Sequence, residues 1–120
     1  MKPATTAILT LLLLAASLLY GQSQVDGEWT AFLTLPLGEV MFTMNIIQKG
    51  EKLSGYMLND TGQYDLEGNV TGDRITARWS FPDDGKLVAV TFTGRVSGNS
   101  MSGAAKVGAV GEGSMSAQRK

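Results

Sequence analysis

The chain reads as an all-β protein, an eight-stranded antiparallel up-and-down β-barrel, and three observations predict it. From Gly27 to Arg119 apolar and polar residues alternate in short runs, the period of a half-buried strand. Clusters of Gly, Asn, Asp and Pro interrupt those runs at even spacing. One phrase also recurs: LEGNVTGDRITA (Leu66 to Ala77) returns as FTGRVSGNSMSG (Phe92 to Gly103), with a partial copy, KGEKLSG, at Lys49 to Gly55. No helical period competes with the alternation.

The amino-terminal stretch MKPATTAILTLLLLAASLLYGQSQ stands apart. One positive charge at Lys2 precedes an apolar run from Ala7 to Leu19, which predicts a cleavable secretory signal peptide over residues 1–23, cut after Gly21 or Ser23. The run is shorter than the roughly 20 residues of a bilayer span. It is also broken by Thr10 and Ser17, so no stable membrane insertion is expected after cleavage. The mature chain, residues 24–120, is expected to be secreted or periplasmic and to fold as one domain. The sequence has no cysteine, so that domain must hold together without disulfides.

In each copy of the phrase a Gly followed by Glu, Asp or Asn separates two alternating runs, as in two-residue hairpins whose central positions take positive φ. This puts tight turns at Gly50-Glu51, Gly72-Asp73 and Gly98-Asn99. Looser, longer turns are expected at Pro36 to Gly38, Asn59 to Gly62, Pro82 to Lys86 and Val107 to Gly111. The strands then run over 27–35, 39–48, 52–58, 63–71, 74–81, 87–97, 100–107 and 112–119. So many short sequential strands overfill one flat sheet, and closing them into a barrel removes the exposed edges. The alternative is a two-sheet β-sandwich.

Alternation assigns the inward face strand by strand. The first strand offers Trp29, Ala31, Leu33 and Leu35, the second Phe42, Met44 and Ile46, and the third Leu53, Gly55 and Met57. The fourth follows with Tyr64, Leu66, Gly68 and Val70, the fifth with Ile75, Ala77, Trp79 and Phe81. The sixth gives Val88, Val90, Phe92, Gly94 and Val96, the seventh Met101, Gly103, Ala105 and Val107, and the last Gly113, Met115 and Ala117. No charge joins that face until Arg119.

Composition excludes several functions. Ten basic residues against eleven acidic, with no basic cluster, argue against a nucleic-acid or anionic-membrane partner. The chain has no histidine, which removes any Ser-His-Asp triad, and without cysteine the soft metal ligands are gone as well. Asp60, Asp65 and Asp83-Asp84 read as turn formers, and PDDGK lacks the acidic ladder of a calcium loop. No enzymatic activity, cofactor or metal is expected.

Gly27-Glu28-Trp29 opens the first strand as the Gly-x-Trp element does in lipocalins, and the chain resembles the calycin superfamily of lipocalins and avidins. The resemblance implies that Trp29 plugs the closed end of the barrel beneath an Arg from the last strand, here Arg119. KLSG, TFTGRVSG and MSG resemble avidin strands in rhythm, but Thr30-Ala31-Phe32 stands where avidins carry the Asn and Ser that hold biotin, so biotin binding is not implied. Lipocalins are longer and carry a flanking helix. The chain is also similar to the short Gly-rich barrels of exported bacterial proteins, a likeness that brings no activity with it.

The expected function is an exported, non-enzymatic barrel that binds a small hydrophobic ligand. Met44, Met57, Met101 and Met115 are adaptable inward side chains, and the inward glycines leave room. Counting reversals places the termini and the tight turns at one end and the longer turns at the other. Ligand would enter at that second end, with Leu35, Met57, Trp79, Phe81 and Val88 lining the throat and Asn59 and Tyr64 as the polar groups near the rim. The alternative is a scaffold or interaction domain with a filled core. Phe32, Met41, Ile47, Tyr56, Leu58, Leu87 and Ala89 would then offer an outward apolar surface to a homo-oligomer or an exported partner. Export has a direct check: amino-terminal sequencing of secreted material is expected to start between residues 18 and 25, whereas Met1 retained in a membrane fraction would contradict it.

Overall fold

The computed structural model describes residues 23–120, so the expected signal peptide lies outside the described residues except for Ser23. Eight strands follow in order: β1 (Gly27–Leu35), β2 (Gly38–Lys49), β3 (Lys52–Asn59), β4 (Gly62–Thr71), β5 (Arg74–Asp83), β6 (Lys86–Ser97), β7 (Ser100–Val107) and β8 (Gly111–Arg119). Each pairs antiparallel with the next, and β8 returns to β1 from Trp29↔Arg119 to Thr34↔Ser114. The result is one closed up-and-down barrel, not a sandwich.

The repeated phrase builds one end of this barrel. Gly50, Gly72 and Gly98 each open a two-residue turn with φ near 60°, the left-handed conformation such hairpins need. The residue after each Gly then gives its carbonyl to the following strand. Glu51 O accepts from Val70 N, Asp73 O from Val96 N and Asn99 O from Arg119 N, all at 2.8 Å. One phrase, used three times, therefore makes a turn and ties it sideways to the next hairpin.

The turns at the other end are tighter than their residues suggest. Pro36-Leu37, Asp60-Thr61 and Asp84-Gly85 are two-residue turns, and only Gly108 to Val110 is longer. Gly38 and Gly62, expected in loops, instead begin β2 and β4, with φ of 148° and 151°. Asp84 and Gly85 both adopt left-handed φ, 53° and 78°, so the PDDGK stretch closes a hairpin directly.

The inward face fills the barrel. Trp29, Phe92, Met44, Ile46, Ile75 and Met115 are among the largest fully buried side chains, and among the described residues no polar or charged residue is buried. The inward glycines do not leave room there. A Cβ on Gly55, Gly68, Gly94, Gly103 or Gly113 would run into the backbone carbonyl oxygen of Asn45, Thr76, Ser102, Thr93 or Thr34 on the adjacent strand. These positions mark where coiled strands cross closely, and the absent side chain lets the barrel close on a small girth. Gly68 has an ordinary φ and meets only backbone, Thr76 O and Ala77 Cα, so Gly68→Ala isolates the steric term. Overpacking of this kind costs about 1–3 kcal/mol. Differential scanning calorimetry is expected to show a fall in Tm of roughly 4–8 °C per kcal/mol, with Ser102→Ala on the outer face leaving it unchanged.

Candidate functional site

The two ends differ in how they are closed. At the tight-turn end Ser23 N donates to Gly72 O at 2.8 Å and Val25 N to the Gln48 side-chain oxygen at 2.7 Å. Gln48 Nε2 donates in turn to Ser23 O and Gly50 O. Val25 is fully buried, and its carbonyl accepts the indole N–H of Trp29 at 2.9 Å, so the only polar atom of that ring is satisfied inside the plug. Arg119 lies over the Trp29 ring, 4.5 Å from guanidinium carbon to centroid. Its remaining donors reach Asn99 Oδ1 at 3.0 Å, Gln24 O at 2.8 Å and Asp26 O. One side chain thus joins β8, the β6–β7 turn and the segment entering β1.

The residues that complete this plug are Val25 and Gln48, which alternation did not single out. Val25 lies outside the strands, yet it shares facing parity with Gly27 and Trp29 and sits alone between Gln24 and Asp26, which was a readable signal. Gln48 follows Phe42, Met44 and Ile46 in facing parity and stands opposite buried Leu53, so its inward position was readable and its bonds to residues 23 and 25 were not.

At the opposite end the ladders stop unevenly. The β4–β5 pairing ends at Leu66↔Trp79, leaving Gly62 to Asp65 and Ser80 to Asp83 facing a slot in the wall. The β2–β3 pairing begins only at Thr43↔Leu58, so Gly38 to Phe42 projects beyond β3. The β1–β2 and β5–β6 hairpins therefore stand up as two lips.

Between the lips lies a cleft of about 800 Å³. Leu35, Met57, Trp79, Phe81 and Val88 all line it, and so does Asn59. Its floor is nearly covered: Phe42, Met57, Trp79 and Val90 are 5%, 3%, 4% and 1% exposed. The open volume thus belongs to the mouth, above a filled lower barrel. Phe42 from one lip and Trp79 from the other meet across the floor at 5.5 Å between centroids, tilted by 57°. Trp79 and Val90 also line a second, more polar cleft on the outside of the slot, with Tyr64, Asp65 and Arg78.

The two polar residues placed at the rim are engaged in their own turn. Asn59 Oδ1 accepts from Thr61 N, Thr61 Oγ1 and Gly62 N, an Asx arrangement that shapes the β3–β4 connection. Tyr64 packs against the core beside the slot, opposite Met57, and its hydroxyl pairs with Thr61 Oγ1 at 2.9 Å. The outward apolar residues divide as well. Phe32 stands opposite Met41, Tyr56 pairs with Asn45 between Ile47 and Leu58, and Leu87 and Ala89 lie across the barrel on β6. Among the described residues no group of three or more His, Cys, Asp or Glu could hold a metal ion.

The chain matches no protein-family model and no curated protein sequence.

Because Arg119 joins Trp29, Asn99 and the backbone of Gln24 and Asp26 at the sealed end, Arg119→Ala is expected to shift tryptophan emission and lower Tm by several degrees, given about 0.5–2 kcal/mol for a cation over an indole face. Arg119→Lys restores the charge without the fork of donors and should recover only part of the loss. An unchanged spectrum and melt would show that the stack contributes nothing.

Proposed function

We propose that the protein is an exported, non-enzymatic barrel of calycin-like type that holds a small apolar ligand in the cleft between its lips. The observation that carries this reading is the cleft itself, apolar in most of its lining and opposite a plugged end. A pocket that stays open above a packed floor, walled by Leu35, Phe81 and Val88, offers an aromatic or acyl group a place to leave water. The calycin likeness is supported by the eight-stranded closure and by Trp29 beneath Arg119. Export is supported by the apolar leader. The barrel's outer face carries Glu28, Glu67, Arg78 and Arg95 along its strands, which does not suit a lipid-facing band.

A second reading has its own support. Leu37 and Leu87, at the tips of the two lips, are 95% and 77% exposed, and Val110 projects from the β7–β8 turn. Large apolar residues on hairpin tips suit docking to another protein. Light scattering separates the two readings: if Leu87→Ser, outside the cleft lining, converts an oligomer to a monomer and leaves ligand binding intact, the lips serve association.

The binding reading is tested with the uncharged fluorescent probe N-phenyl-1-naphthylamine. Phe81→Ser with Val88→Ser, at partly exposed positions in the cleft, is expected to weaken probe binding by roughly tenfold or more, from the apolar area lost. Val25→Ala at the sealed end should lower Tm and leave binding unchanged. Equal loss from both changes, or no binding by the unaltered protein, would contradict the cleft as the site.

A further inference from the structure

Charge is unevenly placed on the outside of the barrel. On β4, β5 and β6 the outward positions carry Asp65, Glu67, Arg74, Arg78 and Arg95. On β2 every second residue from Glu39 to Lys49 faces outward, because Phe42, Met44 and Ile46 between them are buried. That outward row reads Glu39, Met41, Thr43, Asn45, Ile47, Lys49, with charges of opposite sign at its two ends and none between. Phe32 on β1 stands beside Met41, and Leu58 and Tyr56 on β3 stand beside Thr43 and Asn45. Met41, Ile47 and Leu58 are 65%, 51% and 43% exposed, so this part of the wall leaves apolar surface in water. At the margins, Glu28 is held by Lys120 at 3.8 Å, and Lys52 beside Lys49 doubles the positive end. Among the described residues, neither Glu39 nor Lys49 nor Lys52 is in an ion pair. Glu39 accepts one bond from the Thr34 hydroxyl at 3.3 Å.

The row is complementary to its own reverse. A two-fold axis through the wall at Met44 exchanges Glu39 with Lys49, Met41 with Ile47 and Thr43 with Asn45. In a two-fold contact one patch must fit itself, so a patch with a single charge sign repels its copy. Here the reversal brings the acidic end of one β2 toward the basic end of the other and sets apolar residues against apolar residues. We propose that the outer wall of β1, β2 and β3 pairs two copies of this chain about that axis, with the two β2 strands running antiparallel. An apolar centre of Phe32, Met41, Ile47 and Leu58 inside a polar rim has the composition of such a contact. Phe32, Ile47, Tyr56 and Leu58 lie outside the cleft lining, so the pairing stands apart from the ligand reading.

The row from Glu39 to Lys49 is about 34 Å long and three strands are about 14 Å wide, so the two walls together cover roughly 1,000 Å². That is the low end for a specific contact, and the dimer is expected to be weak, with a micromolar dissociation constant.

Sedimentation velocity across the micromolar range tests the pairing, with circular dichroism melts confirming that each variant is folded. The unaltered protein is expected to pass from monomer to dimer as concentration rises. Ile47→Asp places a charge in the apolar centre twice per dimer and should raise the dissociation constant roughly tenfold or more. Lys49→Glu with Lys52→Glu turns attraction to Glu39 into repulsion and should raise it about two- to fivefold at low salt. Adding Glu39→Lys to that variant restores the opposite signs and should recover the dimer. Leu87→Ser, on the far side of the barrel, should leave it intact. A monomer at every concentration, or a dimer that survives Ile47→Asp, overturns the proposal. Loss of the dimer on Leu87→Ser assigns association to the lips instead, and failure of Glu39→Lys to rescue the charge reversal overturns the antiparallel pairing.

Discussion

The barrel depends on how its narrow end is sealed. A closed sheet leaves no edge strands, but it has two open ends where core side chains would meet water. Here one end is covered by Trp29, Val25 and the backbone of residues 23–26, and Arg119 holds that cover in place from the last strand. The stack matters less for its own energy than for its connectivity. Arg119 belongs to β8, Trp29 to β1 and Asn99 to the β6–β7 turn, so the contact fixes the closing seam and the plug together. With that end fixed, the ladders can run unevenly toward the other end without losing closure.

The close strand crossings complete the constraint. Five inward glycines let neighbouring backbones approach at positions where any side chain would strike a carbonyl oxygen, and the lower barrel becomes narrow enough for its own residues to fill. Four methionines contribute, three of them, Met44, Met101 and Met115, below the cleft and one, Met57, in its floor. Methionine fills irregular space among rigid aromatics and β-branched neighbours. Space for a ligand therefore arises above the core, where the lips extend beyond their neighbours, and not from the glycines.

Much of this was legible. Period-two alternation identified every strand and its inward face, because one buried side allows only one register. The repeated phrase marked the three tight turns, since Gly before an acidic or amide residue has few other uses between strands. Less legible was anything set by tertiary contact. Gly38 and Gly62 look like loop residues, yet each starts a strand because the turn before it is closed by local means, such as Asn59 capping the β3–β4 connection. Asn59 and Tyr64 have the right height and polarity for a ligand contact, and only the hydrogen bonds to Thr61 show that the turn uses them. The plug escaped strand reasoning because residues 23–26 form no strand at all, and Gln48, though on the inward parity of β2, acts by bonding to that irregular segment.

The uneven ladders link stability to function. Near the plug each turn is bonded to the following hairpin, and Asp73 is also held by both oxygens to Arg95 at 3.0 Å. Near the mouth, Gly108 N to Ala89 O is the one such backbone tie between neighbouring hairpins among the described residues, and the β4–β5 seam stops early. Local opening is governed by how many backbone bonds and buried contacts must break, and fewer backbone ties between neighbouring hairpins oppose it at the lips than at the plugged end. Trp79 sits where the stable and the yielding parts meet. It is the last residue of the β4–β5 ladder, packs on Phe42 across the floor, and separates the cleft from the slot outside. A displacement of the β5–β6 lip would move Trp79 with it, joining the slot to the cleft while the plugged end keeps the strands in register. The barrel is thus more heavily tied where closure is needed than at the mouth, where the proposed ligand would enter.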